Sequence, residues 1–184
     1  SPKFSDQKLN NGTPDGTSSV SSLNGVPLYL GAGYTYAFSN SFTLGGLIEY
    51  NPINSGKSSI NSYDNAGVLQ SNGSDKNWVK SNTTLSIMPG YALNADTQIY
   101  AKLGYTWITT SCSNGNGSAC SDSNETGYNT GLGLKKLIDK NIFVFGEANY
   151  ITINSKTYNY NDNSGSYKIS GNAYNLLVGA GYKF

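Results

Sequence analysis

The sequence predicts an all-β fold, an up-and-down antiparallel barrel with seven strands visible along the chain. Three observations predict it. Apolar residues alternate at period two in seven separate segments; the connections between them are alternately short and long; and the charged residues inside the segments take the opposite parity from the large apolar ones. Because successive side chains on a strand point to opposite faces, the third observation places apolar groups outside and polar groups inside.

The segments follow in order. "PLYLGAGYTYAF" aligns Leu28, Leu30, Ala32, Tyr34, Tyr36 and Phe38, and "FTLGGLIEY" aligns Phe42, Leu44, Gly46, Ile48 and Tyr50 opposite Thr43, Gly45, Leu47 and Glu49. "NWVKSNTTLSIMPGYAL" sets Leu85, Ile87, Pro89, Tyr91 and Leu93 against Lys80, Asn82, Thr84, Ser86 and Met88. "QIYAKLGYTWIT" sets Ile99, Ala101, Leu103, Tyr105 and Trp107 against Lys102, Gly104 and Thr106. "GYNTGLGLKKLI" sets Tyr128, Thr130, Leu132, Leu134 and Ile138 against Asn129, Gly131, Gly133 and Lys135. "IFVFGEANYITI" sets Ile142, Val144, Gly146, Ala148 and Tyr150 against Phe143, Phe145, Glu147 and Asn149. The last, "YNLLVGAGYKF", carries Tyr174, Leu176, Val178, Ala180, Tyr182 and Phe184 on one face and mostly glycine on the other.

Only "SNS", "NADT" and "DKN" join the first to the second, third to fourth and fifth to sixth segments, whereas the other connections are long and rich in Asn, Ser and Gly. Short turns at one end and long loops at the other describe an up-and-down barrel set in a membrane. A soluble ligand-binding barrel, the alternative, turns its apolar parity inward. The 12% of charged residues falls well below the ~25% usual in soluble chains, and Asn, Ser, Thr, Gly and 15 tyrosines take their place. Twelve basic against 11 acidic residues give no electrostatic case for nucleic acid. No apolar run reaches the ~18 residues of a membrane helix. The mean hydropathy of −0.40 does not argue against a membrane barrel, whose lipid face uses alternate residues only.

Aromatic residues on the outward parity fall into two groups. Tyr50, Trp107, Tyr128, Tyr150 and Tyr174 lie toward the long loops; Phe38, Phe42, Tyr91, Tyr182 and Phe184 lie toward the short turns. They predict two girdles at the edges of an apolar band. Inside, Glu49, Lys80, Lys102, Lys135 and Glu147 predict a charge network filling a narrow lumen, paired to offset desolvation; a proton or solute path is the sharper alternative. "GAG" and "GLG" lie within strands with no helix following, so they are not phosphate loops but room for crowded neighbours.

The chain has no histidine, which removes Ser–His and His–Asp catalysis. Asp64, Asp75, Asp122, Glu125 and Asp162 lack the spacing of a calcium loop, and no metal or other cofactor is expected. Cys112 and Cys120 sit in "SCSNGNGSAC". A disulfide is expected there, since the rest of the sequence points to an oxidising compartment; two unrelated thiols are the alternative. Closing so short a loop would stabilise by roughly 2–3 kcal/mol on the chain-entropy model.

The C-terminal "LLVGAGYKF" resembles the insertion signal of Gram-negative outer-membrane β-barrels, with Gly179, Tyr182 and Phe184 as its members. The whole chain is similar to the small porin-like barrels of the OmpA-transmembrane, OmpX and opacity type. The resemblance implies an eight-stranded barrel in outer-membrane lipid, long loops on the cell surface, and a structural or surface-interaction role without enzymatic activity; a narrow porin is the runner-up. The surface ligand is not readable. Such barrels have an even strand number, and seven are visible, within 27–184 of a single domain. The sequence therefore predicts that 1–26 is the first outer loop. The first strand is expected either before Ser1 or from a neighbouring subunit, with "KFSDQKL" as an edge strand the weaker alternative.

Overall fold

A computed structural model of the chain describes residues 3–10, 13–20, 28–38, 41–52, 56–63, 69–113, 117–119, 121–159 and 165–184. Ten antiparallel strands run through them: β1 Lys3–Asn10, β2 Thr13–Val20, β3 Leu30–Ala37, β4 Phe42–Asn51, β5 Ser58–Tyr63, β6 Leu69–Ala92, β7 Thr97–Ser113, β8 Ser123–Leu137, β9 Ile142–Asn159 and β10 Gly165–Tyr182. The seven alternating segments are β3, β4, the second half of β6, β7, β8, β9 and the second half of β10.

Register carries one parity from β4 to β10 through the apolar band. Phe42 pairs with Tyr91, Tyr91 with Ile99, Ile99 with Leu134, Leu134 with Gly146, and Val144 with Ala180. These positions all belong to the apolar face, so one side of the sheet is apolar across these strands. Burial is inverted relative to a water-soluble domain. On β4, Gly45, Glu49 and Asn51 are buried while Leu44, Ile48 and Tyr50 are exposed. Only an apolar solvent makes that arrangement favourable.

The short connections are tight turns at one end. The Phe38 amide donates to the Phe42 carbonyl, that of Leu93 to Thr97, and that of Ile138 to Ile142. Neighbouring turns are also tied together, through Ala92 N–H to Ser41 C=O and Leu137 N–H to Asp96 C=O.

At the opposite end the pairing pattern changes. β10 pairs with β1 over Gly165–Asn172, β1 with β2, β2 with β5, and β5 with the first half of β6. With β6–β7–β8–β9–β10, these ladders run in a ring. Across the apolar band the sheet is not closed. There β3 pairs only with β4, and Ala173–Tyr182 pair only with β9, among the described residues. The outward side chains on the β10 edge show the consequence. Leu176 is 85% and Val178 90% exposed, against 50% for Leu103 and 55% for Leu85 in mid-sheet.

Two segments expected as loops carry strands. The segment 1–26, read as a first outer loop, contains β1 and β2, and "KFSDQKL" is a strand. The β1–β10 ladder runs from Lys3↔Asn172 to Asn10↔Gly165, continuing the β10 edge beyond the apolar band. A strand outside the lipid band needs backbone partners but no apolar parity, so alternation does not reveal it. The same reason hides β5 and the first half of β6 inside a segment read as a long loop.

Candidate functional site in the lumen

The inward parity of β4, β6, β7, β8, β9 and β10 builds the lumen in three layers. The middle layer is ionic. Lys102, on β7, forms ion pairs with Glu49 on β4 and with Glu147 on β9, the latter at 2.8 Å. All three side chains are at least nine-tenths buried. Glu147 is satisfied on both oxygens: Lys102 and the Asn149 amide donate to Oε1 at 2.8 and 2.7 Å, and the Tyr100 hydroxyl donates to Oε2 at 2.9 Å. Beside them the Thr84 hydroxyl donates to Thr106 at 2.9 Å, and Thr106 donates to the Thr83 carbonyl at 3.2 Å. Such charges tolerate burial because each meets an opposite charge and further hydrogen bonds.

Toward the short turns the lumen is aromatic. The rings of Phe143 and Phe145, on β9, lie over Gly181 and Gly179 of β10, and the Tyr100 ring lies over Gly133 of β8. A Cβ at Gly133 would collide with that ring. Gly133, Gly179 and Gly181 are thus the space their neighbours' rings occupy. Toward the long-strand end, Ile108, Ile151 and Ile153 form a buried apolar cluster with Val79 and Ala173 packed against it. Polar groups thus fill the middle layer, and apolar and aromatic side chains the other two. Between the layers the Tyr29 hydroxyl reaches in from the chain before β3, and the amides of Asn82 and Asn175 donate to it at 3.5 and 3.4 Å.

Of the five charges expected in one network, Glu49, Lys102 and Glu147 meet and the other two do not. Lys80 sits where the β6–β7 register shifts between Val79 and Ser81. That bulge re-aims it, and its ammonium donates to Asp122 at 2.7 Å on the exposed surface. Lys80 and the Ser111 hydroxyl hold the Asp122 carboxyl below the usual carboxylate range. The pair's contribution is therefore present at neutral pH and is lost as the pH falls through that lowered value. Lys135 keeps inward parity but lies near the short turns, with its ammonium 5.3 Å from the centre of the Phe143 ring. Sequence reasoning missed Tyr100 and the isoleucine cluster. The signal for Tyr100 is Gly133 at its paired position on β8.

On the outer face, Tyr105 stacks edge-on to Trp107 at 4.9 Å and to Tyr128 at 5.4 Å, and Tyr150 lies 4.7 Å from Tyr174. At the other margin, Phe42 meets Tyr91, Tyr36 meets Phe38 and Tyr182 meets Phe184, each pair at 5.1 Å. From Phe42 to Tyr50, or from Tyr174 to Tyr182, is eight residue steps. That spans ~26 Å along a strand, matching a lipid-facing band of about 25 Å before tilt. Gly179 and Tyr182 lie on β10, and Phe184 follows it, fully exposed at the short-turn margin.

No free cysteine occurs among the described residues, and Cys112 is disulfide-bonded; Cys120 lies outside them, as do Asp64 and Asp162. No group of three or more metal-ligating side chains occurs among the described residues, and no described helix could cross a membrane.

A family model described as "Outer membrane protein beta-barrel domain" matches residues 62–184, two thirds of the chain. The chain belongs to this family. Its place is accordingly the bacterial outer membrane, with lipid around the apolar face. Among solved structures, the outer membrane protein OprG of Pseudomonas aeruginosa is similar at 13% identity and a TM-score of 0.57, with 100% of this chain and 93% of OprG covered. That likeness shows the barrel fold. Ail, the attachment invasion locus protein of Yersinia pestis, crystallised with the heparin analogue sucrose octasulfate, matches at 14% identity and a TM-score of 0.47, covering 100% and 95%. The outer membrane protease OmpT of Escherichia coli matches at 11% identity and a TM-score of 0.44, covering 97% and 68%. No curated protein sequence matches the chain.

Proposed function

We propose that this barrel is a non-enzymatic surface protein, an anchored scaffold presenting its long-strand end outside the cell, and not a channel. The observation that carries this reading is the stacked lumen. An isoleucine layer, a buried ion-paired layer and an aromatic layer follow one another along the axis, where a pore needs a continuous wet path. The absence of histidine from the sequence supports the non-enzymatic reading. Purified protein in planar bilayers should give no unitary conductance. Steady ohmic steps that persist after Ile108→Ala, which should only widen any path, would establish a porin instead.

The outward placing of the long ends rests on the alternation of short and long connections and on the expected Cys112–Cys120 bridge. Ser113 and Ala119, each the chain neighbour of one cysteine, form an isolated antiparallel bridge that brings the ends of this loop together. Intact cells should take up no bulky maleimide until a reductant is added, and then two labels per chain. Labelling without reductant would remove the bridge from this account. Labelling only after lysis would reverse the orientation.

The open edges of β3 and β10 require one more strand, because unpaired backbone groups facing lipid cost several kcal/mol each. We assign that place to a strand continuing β1 toward the short turns, since the β1–β10 register, carried past Lys3↔Asn172, meets Ala173–Tyr182 next. A strand from a neighbouring subunit would satisfy the same edges. An intact mass above 19.6 kDa for the membrane-assembled chain supports the first source. A 19.6 kDa species that assembles only as an oligomer supports the second, and one that is monomeric and resists unfolding defeats both.

A further inference from the structure

We propose that the middle layer of the lumen is a chamber for a hydrated monovalent cation, sodium or potassium. Two independent observations point to it. The buried triad of Glu49, Lys102 and Glu147 carries two carboxylates against one ammonium, a net charge of −1 in a water-poor interior. Around it, five buried polar oxygens have no partner. Ser86 Oγ and the Oδ1 atoms of Asn82, Asn129, Asn149 and Asn175 are buried without a hydrogen-bond partner. The first four of these residues are themselves more than nine-tenths buried.

Four of the five residues lie in two adjacent rows, and Asn82, paired with Ile108, is linked to them through the Tyr29 hydroxyl that it shares with Asn175. Ser86, Gly104 and Asn129 are paired in a row across β6, β7 and β8. Lys102, Gly131, Asn149 and Asn175 form the next row toward the short turns, across β7, β8, β9 and β10. Two glycines stand in these rows, and the free oxygens of Ser86 and Asn149 lie over them. One N–H of the Asn149 amide is given to Glu147, and one each of Asn82 and Asn175 to Tyr29.

The chemistry selects the occupant. An anion is repelled by the net charge. A proton on one carboxylate cancels the charge but adds a single donor among four unpartnered amide oxygens and the Ser86 hydroxyl. Neutral water supplies donors but leaves the charge uncompensated. A cation with its first water shell does both, because its waters turn their hydrogens outward, toward the acceptors. Neutral oxygen ligands with few carboxylates favour a hard, weakly charged ion over zinc or another soft metal.

The test is unfolding of the full chain in detergent at fixed ionic strength, in sodium, potassium or N-methylglucamine chloride. Sodium or potassium at a hundredfold excess over its dissociation constant should raise the folded-to-unfolded ratio about a hundredfold and leave N-methylglucamine without effect. Glu49→Gln, which brings the triad to zero net charge, should abolish most of that difference, whereas Asp139→Asn in a short turn should keep it. Thallium-soaked crystals should show an anomalous peak beside Lys102. Equal stability in all three salts would mean water or a proton fills the chamber and would overturn the proposal. So would a full cation effect in Glu49→Gln. If that variant fails to fold, Asn129→Leu removes one orphan acceptor without touching the ion pairs and should weaken the effect instead.

Discussion

Replacing Lys102 with methionine is expected to lower the unfolding free energy by about 3–5 kcal/mol, the cost of leaving buried charge without its partner. The side chain is 1% exposed and is the sole cation contacting Glu49 and Glu147 among the described residues. Methionine keeps most of its volume, so the loss reports charge and not a cavity. Two carboxylates would then face each other, with Tyr100 and Asn149 still donating to Glu147. The neutral triple variant Glu49→Gln, Lys102→Met, Glu147→Gln should recover more than half of the loss, because buried ion pairs are often replaceable by uncharged groups at little cost. Urea unfolding in lipid vesicles measures both. If the single variant loses less than about 1 kcal/mol, or the triple recovers nothing, the triad does not hold the lumen together in the way its geometry indicates.

How far the sequence carries this structure depends on where lipid is. The seven segments within the apolar band were legible because one face meets lipid and the other a packed interior, which writes parity into every second residue. Leu85, Ile87, Pro89, Tyr91 and Leu93 are one such record, and all five are exposed in the structure. Beyond the band the code disappears. "KFSDQKLN" and "SSINSY" are strands by backbone pairing alone, and nothing in their polar sequences distinguishes them from loop. Within the lumen, Glu49, Lys102 and Glu147 were legible because a charge on the inward parity must find a partner. Lys80 was not, because a bulge changes parity locally without changing composition. The isoleucine layer was hidden for a related reason: Ile108, Ile151 and Ile153 are apolar residues on the polar parity, at the long-loop ends of their segments.

Gly179→Val tests that parity at single-residue resolution, since the resemblance places Gly179 in an insertion signal while the structure gives it a packing reason. A Cβ at this position would come within 2.6 Å of two atoms of the Phe145 ring, and Gly179 and Phe145 are directly paired on β10 and β9. Valine adds two further carbons into the same space, so the ring must leave its rotamer or the strands must separate. Overpacking of this kind costs about 1–3 kcal/mol and more where the neighbour cannot move. Gly146→Val on β9 faces the other way. Nothing lies within 4 Å of its Cβ position, and the added methyls would meet lipid, so that variant should assemble and unfold like the parent. Heat-resistant migration in detergent gels gives the folded fraction for both. The decisive variant is Gly179→Val with Phe145→Ala, which returns the occupied space to the lumen. If it restores folding, the glycine is there for the ring. If the double variant is as defective as Gly179→Val alone while Phe145→Ala folds normally, the position acts through recognition of the C-terminal segment during assembly, and the packing account of Gly179 fails.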